Sequence, residues 1–388
     1  MTRAFLSGNE AFAQGVRLSR VQVVSAYPIT PQTTVVEALA GMAANGELNA
    51  RFLHVESEHS ALSAAIGASM TGARTFTATS SQGLLYMAEC LVYASGGRYP
   101  IVMMNACRST ALPWNIYGDQ RDSLLLADSG WIQIYAKDAQ EALDLALIAY
   151  RVAEDPEVST PCMVCLDGFT ITHTYEAVDV PSQQQADAFL PPYRTSNRFD
   201  FEDPRNVAFS AGPETNYVFK KKEHEGMLRV FGALEKAEKD FNEIFSRSYS
   251  GALETFATED AEVVVVTLGA VYGLVVEAVK SLRKQGIRAG AIRLRLIRPF
   301  PAGQLKEALS QVRHVAVLEK DISFGYEGAV LSWVRATVQK GGLDLNVCGF
   351  VAGLGGKDIP EAYIEYAAKT ALSGFNGTRF QGFDEEDL

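Results

Sequence analysis

Short apolar runs alternate with amphipathic stretches from Val21 onward, and the alternation is regular enough to predict elements. VQVVSAY (21–27), RFLHVE (51–56), RTFTATS (74–80), YPIVMMNA (99–106) and PCMVCLDG (161–168) have the length and composition of strands, and amphipathic segments beginning near Pro31, Ser57, Ser81 and Ala139 predict helices. Strands and helices in alternation imply a parallel sheet covered on both faces. Thr30 followed by Pro31 suits an N-cap and a first helical position, so the strand through Ala26 is expected to turn directly into a helix there. Ligands of open α/β sheets bind beyond the carboxyl ends of strands, which puts Thr30 at a ligand-facing edge.

The rhythm fails near Val180. Residues 181–226 are rich in Gln, Asp, Asn and Pro without sustained periodicity, and predict an extended linker that wraps a partner or the other domain. Residues 225–246 then predict one long charged amphipathic helix. A second α/β unit begins with AEVVVVTLGAVYG (261–273) and continues with strand-like runs at 287–297, 314–320 and 345–354. The expected organisation is α/β: two doubly wound parallel-sheet domains, at 1–180 and 256–388, joined by a linker and helix at 181–255. Gly269 and Gly273 form G-x-x-x-G rather than a dinucleotide fingerprint, which argues against NAD.

At 388 residues and 47% hydrophobic, the chain has room for two cores. A net charge of −11 argues against nucleic acid or an anionic membrane as partner, since both need a basic field. The N-terminus lacks a secretory apolar region and no stretch has the length of a membrane span, so a cytoplasmic protein is expected. Its five cysteines are scattered and odd in number, and free thiols are expected. Cys162 and Cys165 form a C-x-x-C pair inside a strand-like run with no second pair nearby, so core packing is favoured over a metal or cluster site.

Three segments carry candidate chemistry: A-Y-P-I-T-P-Q (26–32), H-V-E-S-E-H-S (54–60) and N-A-C-R-S-T-A-L-P-W-N-I-Y-G-D-Q-R-D (105–122). From the residues alone, Glu58 is an acid favoured by a helix N-terminus, Thr30 a cap and Arg108 a salt-bridge partner. Glu56 competes with Glu58, and His59 reads as a structural histidine. Together with G-L-G-G-K-D-I at 353–359, however, these segments resemble the pyrimidine-binding alpha subunit of the 2-oxoacid:ferredoxin oxidoreductases, most closely the pyruvate:ferredoxin (pyruvate synthase) type, over nearly the whole chain.

The resemblance implies a thiamine-diphosphate pyrimidine-binding fold followed by a transketolase C-terminal-like domain without catalytic residues. Decarboxylation of a 2-oxoacid needs an electron sink, which thiamine diphosphate supplies once a carboxyl group hydrogen-bonded to its aminopyrimidine promotes the ylid. A carboxyl in an apolar crevice suits that task. The resemblance assigns it to Glu58, extends cofactor contact to Pro28 and Ile29, and gives the substrate carboxylate to Thr30 and Arg108. A threonine at position 30 favours a monocarboxylate, because a dicarboxylate would call for a further cation there. Relatives usually carry histidine after the G-D segment, where this chain has Gln120 and Arg121.

No G-D-G followed by N-N cradles diphosphate and magnesium, and no cysteine cluster holds iron and sulfur. The resemblance therefore implies a heteromer. Its beta subunit would bring the diphosphate site, magnesium and a cluster, further 4Fe–4S clusters would lie in partner subunits, gamma and delta subunits would complete it, and pyruvate, coenzyme A and ferredoxin would be the substrates. A non-catalytic assembly subunit is the alternative from another class.

Overall fold

The apolar runs form the centres of two mainly parallel sheets in the computed structural model, which describes residues 2–383 apart from 205 and 208. Among the described residues the strands in chain order are β1 (Thr2–Ser7), β2 (Val23–Ala26), β3 (Arg51–His54), β4 (Thr75–Thr79), β5 (Val102–Cys107), β6 (Ile132–Tyr135), β7 (Cys162–Asp167), β8 (Tyr175–Val180), β9 (Leu253–Phe256), β10 (Val263–Leu268), β11 (Ala289–Leu294), β12 (Leu296–Arg298), β13 (His314–Glu319), β14 (Asn346–Val351) and β15 (Thr378–Phe380). The first sheet has the order β12-β6-β7-β5-β4-β2-β3 and the second β15-β14-β13-β10-β11-β9. Strands β4 to β7 and β10 and β11 are buried at every position. Burial on both faces is why their sequences are continuous apolar runs without alternation. Cys162 and Cys165 both belong to β7 and are buried, and burial pushes the Cys162 thiol up.

Four of the departures from the sequence expectation have a local reason. Strand β1 and the Gly8–Leu18 helix precede Val21, where the pattern was taken to begin; β1 pairs antiparallel with β8 in a separate small sheet. A signal was present, because Ser7 and Glu10 form a capping box in which Ser7 Oγ accepts from Glu10 N–H and Ser7 N–H donates to Glu10 Oε2 at 2.8 Å. Thr30 is not an N-cap. The helix starts at Thr33 with Gln32 at the cap position, and Thr30 remains outside it.

The long helix runs Pro213–Phe245, starting well before residue 225. Its buried positions begin only at Gly226 and continue through Val230, Leu234, Ala237, Phe241 and Phe245. Apolar periodicity marks where a helix meets a core, so the solvated first turns carried no signal. The run at 287–297 is two strands rather than one. Arg295 separates β11, in the second sheet, from β12, which pairs antiparallel with β6 and completes the first.

That crossing strand carries the seam between the units. Arg293 meets Glu141 at 2.6 Å and Glu254 at 2.8 Å, and Arg295 meets Glu141 at 2.9 Å and Glu238 at 2.6 Å. Burial alone would raise the Glu141 carboxyl, but Arg295 and Arg293 outweigh it and hold the group at about 2. A second tie joins Asp167, at the end of β7, to Lys320 at 3.0 Å and to the Ala270 N–H at 2.9 Å. Among the described residues, no helix is long and apolar enough to cross a membrane.

Candidate active site

Four neighbouring strands of the first sheet, β5, β4, β2 and β3, end on one side, and each hands its next few residues to the same cavity. Ile29 and Thr30 follow β2, Glu58 follows β3, Gln82 and Gly83 follow β4, and Arg108 follows β5. With Tyr86, Trp114 and Ile116 they line a space of about 530 Å³. A parallel sheet brings these residues together because all its carboxyl ends face one way. Of the residues singled out in the sequence, Ile29, Thr30, Glu58 and Arg108 line the cavity. Pro28 does not; it lies exposed on the approach to Ile29.

Glu58 opens the Glu58–Met70 helix, whose N-cap Ser57 accepts the Ser60 N–H at 3.2 Å. The cap leaves the Glu58 side chain free to turn inward. It is 7% exposed, and its carboxylate accepts no hydrogen bond from any described residue. A Cβ added at Gly83 would lie 2.5 Å from Glu58 Oε1 and 2.7 Å from Thr79 Oγ1, so glycine keeps open the space beside the carboxylate. Thr79 Oγ1 is itself buried without a partner. A polar ring fits beside these groups: a buried acceptor, an unmatched hydroxyl and a residue reduced to hydrogen. Glu56, the competing acid, is exposed and accepts from Ser60 Oγ. His59 lies 3.4 Å from Glu89.

Arg108 is 3% exposed and crosses the cavity floor. Its Nη1 donates to the Thr30 carbonyl at 2.6 Å and its Nη2 to Gln82 Oε1 at 3.3 Å, while the buried Nε has no partner. A guanidinium has five N–H groups, so donors remain for a ligand. The indole of Trp114 lies 5.9 Å from the guanidinium carbon, a cation–π distance. Burial lowers the Arg108 pKa, opposed by the charges of Asp122 and Glu58. Thr30 and Arg108 are therefore adjacent, linked through the Thr30 backbone carbonyl.

Asp122 organises this edge, and the sequence reading gave it no role. The side chain is fully buried and accepts from Ser81 N–H at 2.9 Å, Arg108 N–H at 3.1 Å and Asn105 Nδ2 at 3.2 Å. Burial pushes its carboxyl up to about 6, against the lowering effect of the backbone donors. Ser81, at φ 50 and ψ −123, adopts a backbone that costs about 1–3 kcal/mol outside glycine. The Asp122 bond and the Ser81 hydroxyl, donating to the Ser109 carbonyl at 2.6 Å, hold it there. Gln82 is thereby aimed at Arg108. The strand-to-helix turn S-S-Q-G was the available signal for Gln82 and Gly83; Asp122 had none, since its partners come from β5 and two separate turns.

Gln120 and Arg121 do not line the cavity. Gln120 donates from its backbone to the Lys320 carbonyl at 3.0 Å and from Nε2 to the Leu268 carbonyl at 3.4 Å, both in the second unit. Arg121 pairs with Asp119 at 2.8 Å and bonds Ser109 Oγ.

Residues 14–239 match the family model described as pyruvate flavodoxin/ferredoxin oxidoreductase, thiamine diphosphate-binding, and residues 261–363 match pyruvate:ferredoxin oxidoreductase core domain II. The chain is 42% identical to pyruvate synthase subunit PorA of Methanothermobacter thermautotrophicus, with 100% of each chain covered. It is 44% identical to ketoisovalerate oxidoreductase subunit VorA of Pyrococcus horikoshii, covering 91% of this chain and 90% of that one. Among solved structures, 2-oxoglutarate:ferredoxin oxidoreductase from Magnetococcus marinus superposes with a TM-score of 0.74 at 21% identity, over 95% of this chain and 65% of that chain. That likeness is one of fold. The full-length identities and the family match rest on more than architecture, and by them this chain belongs to the thiamine-diphosphate-binding pyruvate flavodoxin/ferredoxin oxidoreductase family.

Proposed function

We propose that this chain is the alpha subunit of a pyruvate:ferredoxin oxidoreductase and that its cavity holds the pyrimidine half of thiamine diphosphate together with the 2-oxoacid. The observation that carries the reading is Glu58: a buried carboxylate without a hydrogen-bond donor, opening into the cavity that also receives Arg108. When bound, thiamine diphosphate supplies the electron sink for the pair released as carbon dioxide leaves. Glu58 holds and exchanges a proton at a pyrimidine ring nitrogen, a role suited to a carboxyl shielded from water. Arg108 binds the substrate carboxylate through N–H groups not engaged by Thr30 and Gln82. Thr30 orients that carboxylate from the end of β2. Ile29, Ile116 and Trp114 shield the reacting centre from water.

The diphosphate, magnesium and 4Fe–4S clusters belong, in this reading, to partner subunits of beta, gamma and delta type, with coenzyme A and ferredoxin completing a cytoplasmic reaction. Pyruvate is the proposed substrate. A branched-chain 2-oxoacid is the second reading, favoured by the 44% identity to a ketoisovalerate oxidoreductase subunit. Rates of the assembled complex with pyruvate, 2-oxoisovalerate and 2-oxoglutarate separate the two.

Glu58→Gln tests the site. The amide keeps the shape and loses the exchangeable proton, so turnover of the assembled complex is expected to fall by roughly 10²–10⁴-fold with the thermal midpoint unchanged. Near-parental turnover removes Glu58 from the mechanism. If no iron–sulfur absorbance co-elutes with this chain in the native complex, the non-catalytic alternative takes its place.

A further inference from the structure

The outer wall of the cavity is built on a segment that does not support itself. Trp114 is 70% exposed and Ile116 38%, and residues 109–118 contain no helix or strand. Inside the segment, Ser109 N–H donates to the Tyr117 carbonyl at 3.0 Å and Tyr117 N–H donates to Asn115 Oδ1 at 2.6 Å. Tyr117 packs on Phe169 with ring centres 5.1 Å apart. Ser109 is also held within the first unit by the Ser81 hydroxyl and Arg121, and Trp114 lies against the Arg108 guanidinium, but Asn115 is tied to the second unit. Asn115 Nδ2 donates to the Gly355 carbonyl at 2.9 Å, and Gly355 N–H donates to Asp119 Oδ2 at 3.0 Å. Asn115, between Trp114 and Ile116 in sequence, thus bonds across the domain seam while its neighbours line the cavity.

The glycines of G-L-G-G have a matching explanation. Gly353, Gly355 and Gly356 all have positive φ, at +68°, +61° and +80°. A Cβ at Gly355 would lie 2.7 Å from Asn115 Nδ2, and one at Gly356 would lie 2.4 Å from Tyr117 Cβ. At Gly355 and Gly356 backbone conformation and close approach both demand glycine, and the approach is to the segment that carries the cavity wall.

We infer that the 353–356 turn of the second unit is a positioning element for the 2-oxoacid pocket, holding the Trp114 and Ile116 wall through Asn115. The inference rests on the proposed function, since it assigns the wall to the substrate's apolar end. Releasing the turn loosens the wall, and with it the Trp114 contact to Arg108, while the Glu58 side chain and the Arg108 bonds to Thr30 and Gln82 stay in place. Substrate binding weakens, the proton exchange at Glu58 continues, and a larger 2-oxoacid is admitted more readily.

Two substitutions at one position separate the seam bond from the turn inside the segment. Asn115→Ala removes both bonds, whereas Asn115→Asp keeps an acceptor for Tyr117 N–H and loses the donor to Gly355. In the assembled complex both variants are expected to raise the KM for pyruvate about tenfold, the scale of a lost apolar contact in a pocket, with kcat and the thermal midpoint near parental and the preference for pyruvate over 2-oxoisovalerate narrowed. A parental KM in Asn115→Asp, or a joint fall of kcat and thermal midpoint in both variants, overturns the inference. Glu58→Gln measured beside them distinguishes the failures. If it is inactive while the Asn115 variants are parental, only the positioning role is lost; if it is fully active, the proposed function fails first.

Discussion

At the seam Glu141 faces Arg293 and Arg295 at hydrogen-bond distance; at the cavity Glu58 is almost as buried and accepts nothing from the described residues. The two acids lie in one chain and are built to opposite rules. At the seam three carboxylates surround two guanidiniums, and only Arg295 Nη2 is left unmatched. At the cavity Arg108 Nε and, beside Glu58 and Gly83, Thr79 Oγ1 are buried without partners. An unmatched buried polar group costs about 1–3 kcal/mol, so a cluster of them is not a product of selection for stability. The seam cluster joins the two units, whereas the unmatched groups beside the cavity leave hydrogen-bonding capacity for the ligand proposed above.

Paired substitutions break this comparison if it is wrong. Turnover should collapse in Glu58→Gln without loss of stability, as set out above. Glu141→Ala should do the reverse: uncompensated arginines cost about 3–5 kcal/mol, read as a lower midpoint in denaturant with turnover per folded complex retained. The pH dependence sharpens the assignment. Glu141 is held at about 2, below its ordinary 4.5, so its stabilisation is complete above the ordinary value and is lost as pH falls toward 2. Acid unfolding of Glu141→Ala should therefore be flatter than that of the parent over that interval.

Smaller effects are expected at the cavity rim. Arg108→Lys keeps the charge and loses the planar fork, and should raise the KM for the 2-oxoacid by about tenfold to a hundredfold, checked by steady-state kinetics. Asp122 titrates in the direction opposite to Glu141, because burial outweighs its donors and raises it from 3.8 to about 6. A raised carboxyl favours the fold while protonated, so this contribution is present below the ordinary value and lost as pH rises through about 6. Asp122→Asn should remove that inflection from the stability profile, and should raise the KM by a few fold, about 1 kcal/mol, because the amide oxygen can accept either from Ser81, Asn105 and Arg108 or from the Ser123 N–H but not from both sides. The Asn115 variants are read through the narrowed discrimination between pyruvate and 2-oxoisovalerate, whose side chains differ by two methyl groups, alongside their tenfold rise in KM.

Much of this architecture was legible in the pattern of residues. Strands β4, β5, β7 and β10 are long apolar runs because both their faces are covered, and the Glu58–Met70 helix announces itself through Ser57. Besides β6, which is short but buried throughout, elements that went unread include those whose burial is partial or borrowed. Strand β1 is largely exposed, and the first turns of the Pro213–Phe245 helix have no core to face. Strand β12 has only three residues and belongs to a sheet whose other strands were finished more than a hundred residues earlier. Pro28, which the resemblance gives to the cofactor, lies exposed beside the cavity, and it is Ile29 that lines it.

By itself the sequence determined most of the strands, caps and turns and carried the resemblance that makes Glu58, Thr30 and Arg108 candidates, because side-chain identity and the local rules of strand, cap and turn are properties of neighbours along the chain. Tertiary structure decided which of those residues meet. Asp122 became the acceptor for three separate segments, Asn115 a contact across the seam and Gln120 a tie to Leu268 rather than a cavity residue. These contacts depend on distances between residues remote in sequence, and such distances are set by how strands line up in a sheet and how the two units meet, which no local pattern encodes.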